Sequence, residues 1–340
     1  MTAARTVRTI PGDAPLRAAV VGAGGMGKGW ISTVAGSPLV ELVGVVDLDE
    51  SAALAAAPDG VPVGTSLGAL AAQVGAEVVI DVTVPEAHLP VTLEALGLGL
   101  PVLGEKPLAA SMAAARQLMD AAEKSGELFM VSQNRRFNPL LFDFKHRVDA
   151  LGGAQILTHE FFKAPHFGGF RDAMEHPLLL DMAIHNFDAA RFVLGGDAIA
   201  VYCEEYNPSW SWYDGAAAAT LIAEFAGGAR YVYTGSWCSE GLETSWDTRW
   251  RASCPGGSAV WDGDHPAESE PAVHGVPPAP PANGIEGSLA AFVHALRTGE
   301  APMGECHDNL QSLALVHAAI ASADQGRKVT LEEVLTAARP

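Results

Sequence analysis

An apolar run from Leu16 to Val21 leads directly into Gly22-Ala23-Gly24-Gly25-Met26-Gly27, and no other stretch restricts the fold as tightly. The run reads as a buried strand, the glycines at the first, third and sixth positions as a tight turn, and Lys28 to Ala35 as a helix with Trp30, Ile31 and Val34 on one stripe. In such a unit the first glycine permits the turn, the second lets the backbone approach a pyrophosphate, and the third lets helix and strand pack closely. The N–H groups and dipole at the helix start favour negative charge. A second strand, Val40 to Val46, ends at Asp47, twenty residues after Gly27, where a carboxylate can hold an adenosine ribose. No Lys or Arg occurs from Gly44 to Gly60, so a ribose 2′-phosphate would meet repulsion and NAD is favoured over NADP. A methyltransferase shares a glycine-rich first turn but has no use for the residues that follow.

A chain of 340 residues with 49% hydrophobic side chains suffices for two domains with sizeable cores. Forty acidic against 21 basic residues give a net charge of −19, which repels nucleic acid and anionic membranes and leaves neutral or small-molecule partners. Cys203, Cys238, Cys254 and Cys306 show no metal-type spacing, so no metal and free thiols in a reducing compartment are expected. Met1 to Pro15 lacks an apolar core and reads as an unstructured leader, and no run approaches membrane-spanning length; a cytoplasmic protein is expected.

Strands and helices alternate up to residue 132, as a parallel sheet requires. The strand Glu77 to Thr83 leads to Thr83-Val84-Pro85 with His88 beyond, and the strand Pro101 to Gly104 delivers Glu105-Lys106-Pro107. Ligands sit beyond the carboxyl ends of such strands. A lysine there can bond a substrate hydroxyl, although a solvated surface lysine fits the same three residues. From Gln133 the pattern changes to consecutive strands, 155–162, 200–206, 217–225, 229–237, 246–253 and 258–261, which argue for an antiparallel sheet with one open face. One helix interrupts them, running from Leu178 to Asp188. Asp181 and His185 lie four apart on it, so a carboxylate can orient an imidazole as general base; an ordinary i,i+4 surface pair and a helix-capping network remain alternatives. Of the seven tryptophans, six lie beyond residue 200, mostly as core or subunit-contact residues, with one or two left to stack on a sugar. Arg135, Arg136, His159, Lys163, His166 and Arg171 are further pocket candidates, with pairing to the acidic surplus the competing assignment for Arg136 and Lys163.

Taken in order, the glycine turn, Thr83-Val84-Pro85 with His88, Glu105-Lys106-Pro107 and Asp181-Met182-Ala183-Ile184-His185 resemble the Gfo/Idh/MocA family of NAD(P)-dependent oxidoreductases over nearly the whole chain. The resemblance implies an α/β protein: a Rossmann doubly wound parallel sheet over residues 1–132, and over 133–340 an α+β domain with an open-faced, mainly antiparallel sheet that makes homodimer or homotetramer contacts. It implies a sugar, cyclitol or related polyol substrate, with Lys106, Asp181 and His185 catalytic. It also implies a Lys106-Pro107 bond that is often cis. Cofactor contacts then fall to Gly22, Gly24, Gly25, Met26, Gly27, Asp47, Thr83, Pro85, His88, Glu105 and Lys106, and substrate contacts to Lys106, Arg136, Lys163, Asp181 and His185. Family members often approach the catalytic helix through glycines; here the approach reads Glu175-His176-Pro177-Leu178-Leu179-Leu180. Relatives that act as NAD-dependent glycosidases by transient oxidation, and a non-catalytic NAD-binding sensor, are the other functions compatible with the pattern.

Overall fold

The computed structural model describes residues 7–275 and 280–337, in two compact units: Met1–Asn134 with Pro281–Leu310, and Arg135–Pro280 with Gln311–Pro340. The chain begins β1 (Leu16–Val21), α1 (Gly25–Gly36), β2 (Val40–Val46), α2 (Glu50–Ala56), β3 (Val63–Gly64), α3 (Leu67–Val74), β4 (Val78–Asp81), α4 (Pro85–Gly97), β5 (Val102–Glu105), α5 (Met112–Ser125) and β6 (Phe129–Ser132). It continues with α6 (Pro139–Ala150), β7 (Ile156–Phe162), a π-helical segment (Pro177–Ala183), α7 (Ile184–Leu194), β8 (Ala198–Tyr206), β9 (Ala218–Phe225), β10 (Arg230–Ser236), β11 (Arg249–Cys254), β12 (Gly257–Trp261) and β13 (Glu268–Glu270). It ends with α8 (Gly284–Thr298), α9 (Cys306–Gln325), β14 (Val329–Thr330) and α10 (Leu331–Ala337).

The first unit is built on a parallel sheet of order β3-β2-β1-β4-β5-β6. Because β1 has β2 on one side and β4 on the other, the winding reverses at β1, and a doubly wound sheet opens its ligand crevice at that point. Every residue of β4, β5 and β6 is buried, which is why these strands read as continuous apolar runs. Local signals set the helix ends: Asp49 caps α2, Ser66 caps α3, and Ser111 caps α5. Helix α4 starts at Pro85, because a proline suits the first helical position, and Pro90 is carried inside.

Two expectations are corrected here. Residues 7–15 are not a loose leader: Val7 N–H bonds the Gly299 carbonyl at 3.0 Å, Ile10 N–H bonds that of Leu296 at 2.8 Å, and Arg297 holds the carbonyls of Ile10, Pro11 and Ala14. Residues 1–6 lie outside the described residues. The linear assignment of everything after residue 132 to one domain also misses that α8 packs with the first unit, where Ser132 Oγ donates to Ser288 Oγ at 2.9 Å in full burial. Much of the proline-rich connection before α8, residues 276–279, lies outside the described residues.

The second unit holds an eight-stranded sheet of order β13-β12-β11-β7-β10-β9-β8-β14. All its pairings are antiparallel except β7 with β10, whose crossover contains the π-helical segment, α7, β8 and β9. Strand alternation buries Leu157, His159, Phe161, Tyr231, Tyr233 and Trp250 on one face and leaves Ile156, Tyr202, Ile222 and Val260 exposed on the other. Behind the buried face, Arg136 donates to Asp188 through Nε at 2.6 Å and Nη2 at 2.8 Å, and Ser312 Oγ donates to the same carboxylate at 2.6 Å. Both charged residues are at most 5% exposed. Breaking such a pair leaves a bare charge in the interior, so Asp188→Ala should destabilise this unit by about 3–5 kcal/mol, measured by urea denaturation; a loss under about 1 kcal/mol would show that water reaches the pair.

Candidate active site

In the first unit the turn after β1 has the geometry its glycines imply. Gly22 takes a φ of +104°, and a Cβ there would stand 2.6 Å from the Val82 carbonyl oxygen; one on Gly27 would stand 2.2 Å from the Gly22 oxygen. Around Gly24 and Gly25 a Cβ meets nothing within 4 Å, and α1 begins with no side-chain cap. This is an open cradle facing a bare helix N-terminus, the setting that suits a pyrophosphate. Asp47 Oδ2 accepts the Ala23 N–H at 2.7 Å and Oδ1 accepts the Asp49 N–H at 2.9 Å, so its carboxylate ties the turn to the end of β2. Each oxygen retains a second lone pair for a ribose hydroxyl.

Beyond β4 and β5 the remaining first-unit candidates cluster. His88 is 2% exposed, with Nδ1 2.8 Å from the Pro107 carbonyl and Nε2 3.1 Å from that of Thr83, so its ring joins the two loops. Buried Asp81 accepts from Thr83 N–H, Thr83 Oγ and Thr92 Oγ, and burial raises its pKa. Glu105 accepts from Trp30 Nε1 at 2.7 Å and from the Lys106 N–H at 3.1 Å. Burial raises its pKa against those bonds. Lys106 is half-buried at the carboxyl end of β5, and the Lys106-Pro107 bond is cis. Met26 is 50% exposed beside the cradle. The neighbouring pair Trp30 and Glu105 carried no signal linking the first helix to the lysine motif.

In the second unit the helix with Asp181 and His185 is not one continuous α-helix. Pro177–Ala183 winds as a π-helix, with a wider turn, and only from Ile184 does α7 follow α-geometry. Wide turns of this kind concentrate at functional sites. Asp181 Oδ2 accepts from Arg171 Nε at 2.7 Å, and His185, 8% exposed, lies in the first turn of α7. At the approach, His176 Nδ1 lies 2.6 Å from Glu205 Oε2; that bond raises the imidazole pKa, while burial raises that of the carboxyl.

Several pocket candidates have other work. Arg136 is spent on Asp188, and Lys163 pairs with Glu243 at 2.6 Å while lying 4.9 Å from the Trp246 ring centre, so both follow the acidic-surplus assignment. His159 is a core residue, bonded to Tyr231 and packed at a tilt against Trp250 with ring centres 3.7 Å apart, and burial holds its pKa well below 6.5. Arg135 donates to the Trp246 carbonyl, and burial lowers its pKa to about 10. Trp237, Trp250 and Trp261 are core, whereas Trp210 and Trp246 are 67% and 45% exposed. The spacing argument against metals passed over Glu305, Cys306 and His307, whose donor atoms lie within 4.8 Å of one another and hydrogen-bond among themselves.

The indole bond to Glu105 yields a pH-dependent expectation. A carboxyl whose folded pKa is raised stabilises fully below its unfolded pKa and loses that contribution as pH rises through the folded value. Trp30→Phe removes a donor that lowers the pKa, so the variant should lose about 1–3 kcal/mol at neutral pH and less in acid, read from urea midpoints at both. A loss independent of pH would mean the cavity, and not the carboxylate, sets the cost.

Comparison with known proteins agrees with this geometry. Residues 16–133 match the model of the oxidoreductase family with an NAD-binding Rossmann fold, and residues 157–260 match the GFO/IDH/MocA C-terminal domain. Among curated relatives, the uncharacterised protein y4oX of Sinorhizobium fredii is 28% identical over 94% of this chain and 96% of its own. An inositol 2-dehydrogenase of Streptomyces avermitilis is 32% identical over 63% of this chain and 64% of its own. Among solved structures, an Agrobacterium radiobacter oxidoreductase in complex with NAD+, L-tartaric acid and magnesium superposes with a TM-score of 0.85 at 20% identity, covering 94% of this chain and 99% of its own. GenD2 from gentamicin A biosynthesis, in complex with NAD, does so at 0.78 and 26%, covering 95% and 98%. The chain therefore belongs to the Gfo/Idh/MocA family and is an NAD-dependent oxidoreductase.

Proposed function

We propose that the protein oxidises a secondary alcohol of a cyclitol, sugar or related polyol, with the glycine turn holding the pyrophosphate of NAD. The observation that carries this reading is the half-buried Lys106 at the carboxyl end of β5, in the same sheet whose β1 ends in the open Gly24 cradle. The curated relatives named inositol 2-dehydrogenases support the substrate class. Asp47 holds the adenosine ribose, while Thr83, Pro85, His88 and Glu105 shape the nicotinamide end of the site.

Bound NAD supplies the hydride acceptor. His185 takes the hydroxyl proton on a ring nitrogen, and Asp181 orients the ring and stabilises the imidazolium that results. Lys106 donates to the reacting oxygen and offsets the negative charge that develops there. The acidic surface directs the protein toward small molecules and away from nucleic acid and anionic membranes. Free cysteines support a cytoplasmic setting, and no helix among the described residues is long and apolar enough to cross a membrane. The exposed sheet face with Ile156, Tyr202, Ile222 and Val260 serves homodimer or homotetramer contacts, since an apolar patch of that kind marks an association surface.

Two measurements test the proposal. With a polyol from an inositol and sugar panel that yields NADH, His185→Ala should lower kcat by about 10²–10⁴-fold while NAD affinity is retained; full turnover would remove His185 as the base. Ile222→Asp should lower the molar mass in light scattering to that of one chain, and an unchanged mass would place the assembly contact elsewhere.

A further inference from the structure

The segment after β7 carries a cation that the chemistry above does not use. Arg171 ends a short 3-10 turn, Gly169–Arg171, and its Nε donates to Asp181 Oδ2 at 2.7 Å. Its guanidinium carbon lies 5.4 Å from the ring centre of Phe167 and 4.7 Å from that of Phe170. Those two phenylalanines are 57% and 56% exposed, and the arginine side chain is 28% exposed. Among the described residues, Nη1 and Nη2 meet no hydrogen-bond acceptor.

An arginine side chain normally loses much rotamer freedom when it is fixed on a ligand. Here a carboxylate on one edge and the two phenyl rings settle its plane before any ligand arrives. What remains is the outer edge of the fork, two parallel N–H groups spaced to match the two oxygens of a carboxylate. Lys163 over Trp246 looks similar, but its ammonium is taken by Glu243, which leaves Arg171 as the receptor. The net charge of −19 gives no long-range help to an anion, so selecting one requires a short-range contact of this kind.

We propose that Arg171 receives a carboxylate borne by the substrate, so that the alcohol oxidised belongs to a sugar acid, a uronate or aldonate, in preference to an uncharged polyol. A guanidinium has five N–H donors and can serve two carboxylates, so a ligand on the outer edge is anchored beside Asp181 without displacing it. This inference rests on the dehydrogenase reading and narrows its substrate class.

The test is calorimetric titration of the NAD-loaded protein with glucuronate, galacturonate, gluconate and galactonate, the uronates beside their methyl esters and all beside myo-inositol. The wild-type protein should bind at least one acid tenfold or more tightly than its uncharged counterpart. Arg171→Met should reduce that ratio by about 100-fold, the loss of a charge-assisted bidentate contact, and Arg171→Lys should retain part of it. Equal binding of acid and uncharged counterpart by the wild type would overturn the proposal whether or not the variants fold. So would an acid preference that survives Arg171→Met. NADH formation separates the two levels: Arg171-dependent acid binding without NADH leaves the receptor standing and removes the dehydrogenase reading. Turnover of myo-inositol with no preference for acids does the reverse.

Discussion

Gly22 occupies the position on which the first unit turns. Its N–H bonds the Val46 carbonyl at the end of β2, and the space a side chain would need is filled by the Val82 carbonyl after β4. Gly27 presses against the carbonyl of Gly22 itself, and Asp47 holds the intervening Ala23 amide. Beside this close contact of three backbones, Gly24 and Gly25 stand open, and an added Cβ on either would meet nothing within 4 Å. Absence of side chains at two glycines is a packing requirement, and absence of contacts around the other two is what admits a ligand.

Around that turn the unit places polar side chains where burial makes them demanding. Asp81, Glu105 and His88 all lie in the interior beneath the loops after β4 and β5. Each carboxylate is surrounded by donors: Thr83 and Thr92 for Asp81, Trp30 and the Lys106 amide for Glu105. Buried polar groups cost stability unless satisfied, so this network fixes the loops that carry Thr83 and Lys106. The second unit follows the same rule. Arg136, Asp188, Ser312 and Arg191 form a buried network, while the half-buried Asp181 and Arg171 face partly outward.

The strand, glycine turn and Asp47 were legible because each rests on local requirements: period, φ sign and spacing. Six of the eight strands of the second sheet were legible within a few residues for the same reason, whereas the two- and three-residue edge strands β14 and β13 are too short to show a period. Long-range partners were not. Nothing near Trp30 announces Glu105, seventy-five residues away, and nothing near Arg171 announces that its Nε bonds Asp181. The π-helical turn escaped because a four-residue spacing was read with α-geometry, and Pro177 at its start fits either winding. The parallel pairing of β7 with β10 and the return of α8 to the first unit depend on where the chain comes back, which no local pattern encodes.

The family's cofactor turns on the acidic residue after β2 and the lack of any Lys or Arg from 44 to 60. Calorimetric titration with NAD and with NADP tests this most directly. A carboxylate at Asp47 with no nearby cation should hold NAD at least about tenfold more tightly than NADP, since a 2′-phosphate there meets like charge and no donor. Equal or tighter binding of NADP would contradict the account of the turn and the carboxylate that closes it.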